Sequence, residues 1–144
     1  MKLFVVSIIL IISSSVFSQH EVYVNNKLYN GNCAEIVVDT NNITQISTDP
    51  FKFRDILIEN DCIVFHVAYG GGCNKVDFEL ITDNLIEESN PPQLRFLLKL
   101  TDNDFCKAFM YQELKFDLSK YKSYKDETGL IIKIINSDKL ITYN

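Results

Sequence analysis

The chain has 144 residues, of which 47% are hydrophobic and 23% charged, with a formal net charge of −5. That length suits one domain with a sizeable core, and mild acidity without a basic stripe argues against a nucleic-acid partner. Four cysteines, two histidines and no tryptophan narrow the catalytic and metal chemistry available.

Lys2 opens an almost unbroken apolar run from Leu3 to Ile12, and small residues follow up to Ser18. This is the layout of a secretory signal peptide over residues 1–18. The run is shorter than the ~20 residues of a transmembrane helix, and no later segment offers a span. Gln19, not a cysteine, follows the expected cut, so no lipid anchor is expected. The expectation is an exported protein, periplasmic or extracellular, with a single domain over residues 19–144.

Beyond the leader the pattern is period-two alternation, the signature of half-buried strands. Val22–Val24 and Glu35–Asp39 are short candidates, separated by the turn residues Asn25–Asn26 and Asn30–Gly31–Asn32. Thr40 to Pro50 reads as an exposed polar loop, and Ile56–Ile58 as a short strand. Ile63, Phe65, Val67 and Tyr69 share one strand face, opposite Cys62, Val64, His66 and Ala68; two apolar faces predict a central strand. Further strands are expected at Val76–Leu80, Leu94–Thr101, Leu114–Leu118 and Ile131–Ile135. A final hairpin reaches Ile141 and Tyr143 through Asn136–Ser137–Asp138. One helical turn fits near Leu118–Tyr124. The expected fold is all-β, an antiparallel β-sandwich stapled by disulfides, with a small barrel as the alternative. The sandwich is preferred because Asn90–Pro91–Pro92 breaks the pattern as a sheet crossing or an edge would.

In an oxidising compartment, cysteines become staples. Four allow three pairings. Cys73 follows a glycine run at a strand end, and Cys106 follows the turn Asp102–Asn103–Asp104. Two strand tips favour Cys73–Cys106, which leaves Cys33–Cys62. No pair has the short spacing of a zinc or redox motif, so neither metal nor cofactor is expected. A thiol nucleophile needs a base, and His66 lies on the same strand face as Cys62, so that pair is the one catalytic option involving sulfur. His20 sits two residues past the expected cut.

Tyr69–Gly70–Gly71–Gly72–Cys73 permits positive φ and close backbone approach. It reads as a tight turn, with an anion-binding nest of N–H groups as the alternative centred on Gly71 and Gly72. A phosphate loop is excluded, because Asn74–Lys75–Val76 opens a strand. Asp102–Asn103–Asp104 reads as a turn, with a surface calcium as the alternative. Glu87–Glu88 reads as a polar loop. Lys115, Lys120, Lys122 and Lys125 are interspersed with Asp117, Asp126 and Glu127, and read as a solvated surface rather than an anion site.

The stretch from Cys62 to Ser119 resembles a group of uncharacterised exported proteins common in Bacteroidota-type bacteria. The resemblance rests on Tyr69–Gly70–Gly71–Gly72–Cys73, Phe78–Glu79–Leu80, Pro91–Pro92–Gln93, Asp104–Phe105–Cys106 and Leu114–Lys115–Phe116–Asp117–Leu118–Ser119. It covers under half of the chain. Many such proteins are lipoproteins and carry a histidine shortly after the glycine–cysteine pair; here Val76 stands near that position. The resemblance implies an exported β-sandwich with a Cys73–Cys106 bridge, and no activity.

No complete catalytic group is visible. The leading expectation is a non-enzymatic module that binds a protein, glycan or envelope partner through its loops, here Asn84–Gln93 and Tyr121–Thr128, with Tyr121 and Tyr124 as contact residues. The alternatives are an inhibitor of a secreted hydrolase, presenting the Gly70–Cys73 turn, and a small enzyme using Cys62 with His66 or a carboxylate pair.

Overall fold

The computed structural model describes residues 33–144. The expected leader, the Val22–Val24 strand, the turns before Cys33 and His20 lie outside those residues.

In chain order the strands are β1 (Val37–Val38), β2 (Phe51–Glu59), β3 (Cys62–Gly71), β4 (Asp77–Thr82) and β5 (Ile86–Glu87). They continue with β6 (Gln93–Thr101), β7 (Ala108–Asp117), β8 (Leu130–Ile134) and β9 (Leu140–Tyr143). A 3-10 turn at Ser119–Tyr121 runs into one short helix, α1 (Lys122–Glu127), where the sequence predicts a helical turn.

The strands form two sheets that do not close into a barrel. The first is three-stranded, ordered β2–β3–β7, with β3 central and both pairs antiparallel. The second is six-stranded, ordered β1–β4–β6–β8–β9, with β5 also paired to β6. This larger sheet is mixed, because β1 runs parallel to β4 and β6 parallel to β8. The β6-to-β8 parallel pair needs a long connection, and β7 with α1 supplies it. Asn90–Pro91–Pro92 does not mark a sheet crossing; it lies in the connection from β5 to β6 within one sheet, with a cis Asn90–Pro91 bond.

Alternation places one face of each sheet in a shared core. Ile63, Phe65 and Val67 of β3 and Leu114 and Phe116 of β7 meet Phe78, Leu80, Phe96 and Leu98 from the opposite sheet. Edge-to-face ring pairs knit the layer, with Phe65 and Phe116 centroids 6.0 Å apart and Tyr69 and Phe78 5.5 Å apart. Each such side chain contributes about 1.5–3 kcal/mol by burial. The Thr40–Pro50 segment is not simply an exposed loop. A 3-10 turn at Ile43–Gln45 buries Ile43, and Asp49 N–H donates to the Leu100 carbonyl at 3.0 Å.

The bonded cysteine pairs are Cys33–Cys62 and Cys73–Cys106, the pairing that the strand tips favour. Among the described residues no cysteine is free, and no helix is long and apolar enough to cross a membrane.

Candidate binding face

The glycine turn is closed by a carboxylate of the chain itself. The Cys73 and Asn74 N–H groups donate to Asp104 Oδ2 at 2.7 and 2.8 Å, and Cys106 N–H donates to Oδ1 at 2.9 Å. The nest that could hold an external anion is therefore filled by Asp104, whose pKa is held below its ordinary value by those backbone bonds, the one from Asn74 foremost. Gly72 has φ +109°, where only glycine is unstrained, and a Cβ there would lie 3.1 Å from that of Ala108. Gly71 is buried against the Tyr69 ring. Both glycines build the turn; Gly71 is buried and Gly72 is exposed.

The acidic turn is likewise internally occupied. Asp102 accepts the Asp104 N–H at 2.7 Å, and Asp102 N–H donates to Asp49 at 2.8 Å. Cys73, Asp104 and Cys106 bring three donor atoms together, but the two sulfurs are bonded to each other. The Cys62–His66 catalytic pair does not form. Cys62 is bonded to Cys33, and His66 Nε2 lies 2.9 Å from Glu113 Oε2.

Of the two tyrosines expected to bind a partner, Tyr121 is buried and Tyr124 half-buried. Tyr121 is 2% exposed and stacks edge-on to Phe96, with centroids 6.0 Å apart. Its hydroxyl donates to Asn84 Oδ1 at 2.9 Å, tying the Asn84–Gln93 loop to the Ser119–Tyr121 turn. Burial pushes its pKa up. Tyr124 packs half-buried against the core, and its carbonyl accepts the Thr128 and Gly129 N–H groups that end α1. Asp61 gathers the same end of the molecule, accepting from the Tyr143 hydroxyl at 2.7 Å and from Lys125 at 3.0 Å.

The exposed aromatics lie elsewhere, on the outer face of the three-stranded sheet. Register across β2–β3–β7 stacks three rows there: Lys52–Ala68–Tyr111, Asp55–His66–Glu113 and Leu57–Val64–Lys115. Gly70 stands opposite Phe109 at the end of this array. Phe109 and Tyr111 are 62% and 64% exposed, and their centroids are 5.1 Å apart at 72°. Arg54 is the extra residue of a β2 bulge and reaches over Tyr111, 5.9 Å from the ring centroid. Opposite the rings β3 carries only the small residues Gly70, which is exposed, and Ala68, which is buried, so a shallow trough opens at Gly70. A Cβ on Gly70 would meet nothing within 4 Å. Phe105, 95% exposed, stands on the adjoining loop pinned by the Cys73–Cys106 bond.

Below the aromatics the face is charged. Glu113 lies against His66 and Lys115, and Lys115 also reaches Glu59 at 2.7 Å. The His66 hydrogen bond chiefly holds the Glu113 pKa below its ordinary value, and the Glu59 bond chiefly raises that of Lys115.

The expectations of the sequence missed Arg54, Phe105, Phe109 and Tyr111. A signal exists in Ala108–Phe109–Met110–Tyr111–Gln112, but it is apolar at both parities, so periodicity alone does not say which side meets water.

No family model matches the chain, and no curated protein matches it. A solved structure shares its fold. A protein of unknown function, DUF1344, from Bacteroides vulgatus superposes with a TM-score of 0.56 at 13% identity, covering 78% of this chain and 56% of that one. A candidate lipoprotein from Bacteroides fragilis aligns at 10% identity with a TM-score of 0.48, covering 78% of this chain and 70% of that one. A candidate toxin-related protein from Parabacteroides distasonis aligns at 15% identity with a TM-score of 0.47, covering 78% and 59%. The chain thus spans little more than half the length of the first of these. The likeness to the Bacteroides vulgatus protein is one of fold.

Proposed function

We propose that this chain is an exported, non-enzymatic binding module that engages a protein partner through the outer face of β2–β3–β7. The carrying observation is the grouping of Phe105, Phe109, Tyr111 and Arg54 at one end of that face, beside the trough at Gly70. Large exposed apolar patches mark interaction sites, and aromatic and arginine side chains supply most of the energy in protein interfaces. The charged rows below supply orientation. Two disulfides fit the oxidising compartment that export implies.

The test is affinity capture from an envelope extract of the source cells, followed by titration of the captured protein. Gly70→Val fills the trough without strain, since that position is an open strand site. It should weaken binding about ten-fold or more, the order expected when an interface contact is blocked, with unchanged thermal stability. Equal binding by wild type and variant would remove the trough from the account.

One observation favours the inhibitor reading as a second possibility. Phe105 protrudes from a loop braced by the Cys73–Cys106 bond and by Asp104, and a rigid exposed aromatic suits the specificity pocket of a protease that cleaves after aromatics. The presenting segment is then Asp102–Lys107 rather than the Gly70–Cys73 turn. Stoichiometric inhibition of a chymotrypsin-type protease, lost in Phe105→Ala, supports it; absence of inhibition removes it.

A further inference from the structure

We infer that β7 pairs with β7 of a second copy of this chain, antiparallel about Met110, to make a twofold dimer with a continuous sheet β2–β3–β7–β7–β3–β2. The open edge of β7 carries this inference. Ala34 is the one described residue that pairs with it, at Phe116. Among the described residues nothing pairs with that edge from Ala108 to Glu113. Long apolar edges of this kind recruit further strands. The other long edge, on β2, is guarded by Lys52, Arg54 and Asp55 and by its bulge, the usual defences. The remaining edges among the described strands are short, two residues in β1, two in β5 and four in β9.

Backbone direction limits the register. Lys115 C=O accepts from Ala34 N–H and Asp117 N–H donates to the Ala34 C=O, so odd-numbered residues of β7 present their polar groups to the free edge. Phe109, Tyr111 and Glu113 follow by strand alternation. A twofold antiparallel pair must then set odd residues opposite odd residues, with the axis on a residue. Centring on Met110 sets Phe109 opposite Tyr111 of the other copy, and Lys107 opposite Glu113. Aromatic pairs and opposite charges directly across a ladder are stabilising, and like charges are not. Centring on Tyr111 would set Lys107 against Lys115 and Phe109 against Glu113. Centring on Phe109 would set Glu113 against Phe105, and centring on Gln112 would set Phe109 against Lys115. Only the Met110 axis satisfies both rings and both charges.

A competing occupant is the chain's own segment before Ala34. Cys33 is bonded to Cys62 on β3, with the two Cα atoms 6.3 Å apart. Two strand spacings, about 9–10 Å, separate β3 from a residue beside β7. Cys33 itself therefore lies on the β3 side of Ala34 and not on the β7 edge. The dimer shares Phe109 and Tyr111 with the proposed partner surface but leaves Gly70 open, so Gly70→Val separates the two readings.

Sedimentation velocity on the oxidised mature chain should give a dimer in the micromolar range. Zero-length carbodiimide cross-linking of mixed light and heavy-nitrogen protein should join Lys107 of one isotope to Glu113 of the other. Tyr111→Lys should halve the sedimenting mass while the circular dichroism spectrum is kept. Lys107→Glu, outside the strand, sets two like-charge pairs by symmetry and should weaken the dimer roughly ten-fold. A monomer throughout, as when the chain covers its own edge, overturns the inference, and so does a dimer that survives Tyr111→Lys or cross-links elsewhere. A monomer that still binds its captured partner in a Gly70-dependent way overturns the dimer alone. A dimer that captures nothing overturns the partner reading alone.

Discussion

Asp104 holds two strand tips at once. Its carboxylate accepts N–H groups from both sides of the Cys73–Cys106 bond, so the loop that carries Phe105 is braced by hydrogen bonds as well as by sulfur. Asp104→Asn offers the same shape but turns an amide NH2 toward N–H donors. It should lower the melting temperature and speed hydrogen exchange at Cys73 and Asn74, while Asp104→Glu should behave differently because of its length. The sign of the pH effect follows from the depressed pKa. Folded Asp104 binds its proton more weakly than the unfolded group, whose ordinary value is 3.8. Its stabilising share is present above that value and disappears as pH falls through the lower folded value. Glu113, also depressed, acts in the same direction from an ordinary value of 4.5. A melting-temperature profile should therefore be insensitive to both groups at neutral pH and fall off only at acid pH; a loss of loop order near neutrality would contradict this. Tyr121 gives the contrasting case. As a buried ring with a satisfied hydroxyl, its replacement by Ala should cost about 3–5 kcal/mol of unfolding free energy, measured by denaturant titration. A near-neutral effect would mean that Tyr121 is not part of the core.

Strand β7 shows why its neighbours were easier to read than itself. Leu114 and Phe116 alternate with Lys115 and Asp117, so the inward face of that half is legible in the sequence. From Ala108 to Met110 the string is apolar at every position, and period-two reasoning gives no sign. In β2 only Ile56–Ile58 is legible, because the bulge at Arg54 shifts the alternation partway along. The parallel β1–β4 and β6–β8 pairs were not legible, since strand direction depends on connections rather than on residue pattern. The cysteine pairing was legible because strand tips limit which sulfurs meet. Removing the Cys73–Cys106 bond by a double Ala substitution opens a loop of sequence separation 33. It should cost about 3–4 kcal/mol in the chain-entropy view, with the loss concentrated in the Phe105 loop. If hydrogen exchange instead rises uniformly over both sheets, the bond staples the whole sandwich.

At the scale of the molecule, the two ends differ in construction. One end is tied down: Asp61, Tyr143, Lys125 and the Tyr121–Asn84 bond close the core beneath α1. The other end carries Phe105, Phe109, Tyr111 and Arg54 exposed beside a trough at Gly70. The sequence alone places the contact loops at the tied-down end, because the polar loops there contain tyrosines. Local polarity does not reveal that a tyrosine closes a core; the hydrogen bond to Asn84, 37 residues away, decides it. The most direct test is site-specific photo-cross-linking in the cells that make the protein. A photoreactive benzoyl-phenylalanine is placed at Tyr111 in one strain and at Leu85, exposed at the opposite end, in another. The account predicts discrete adducts from position 111, either two copies of the chain or the chain with its partner, and none from position 85. Adducts from position 85 with none from position 111 would contradict it.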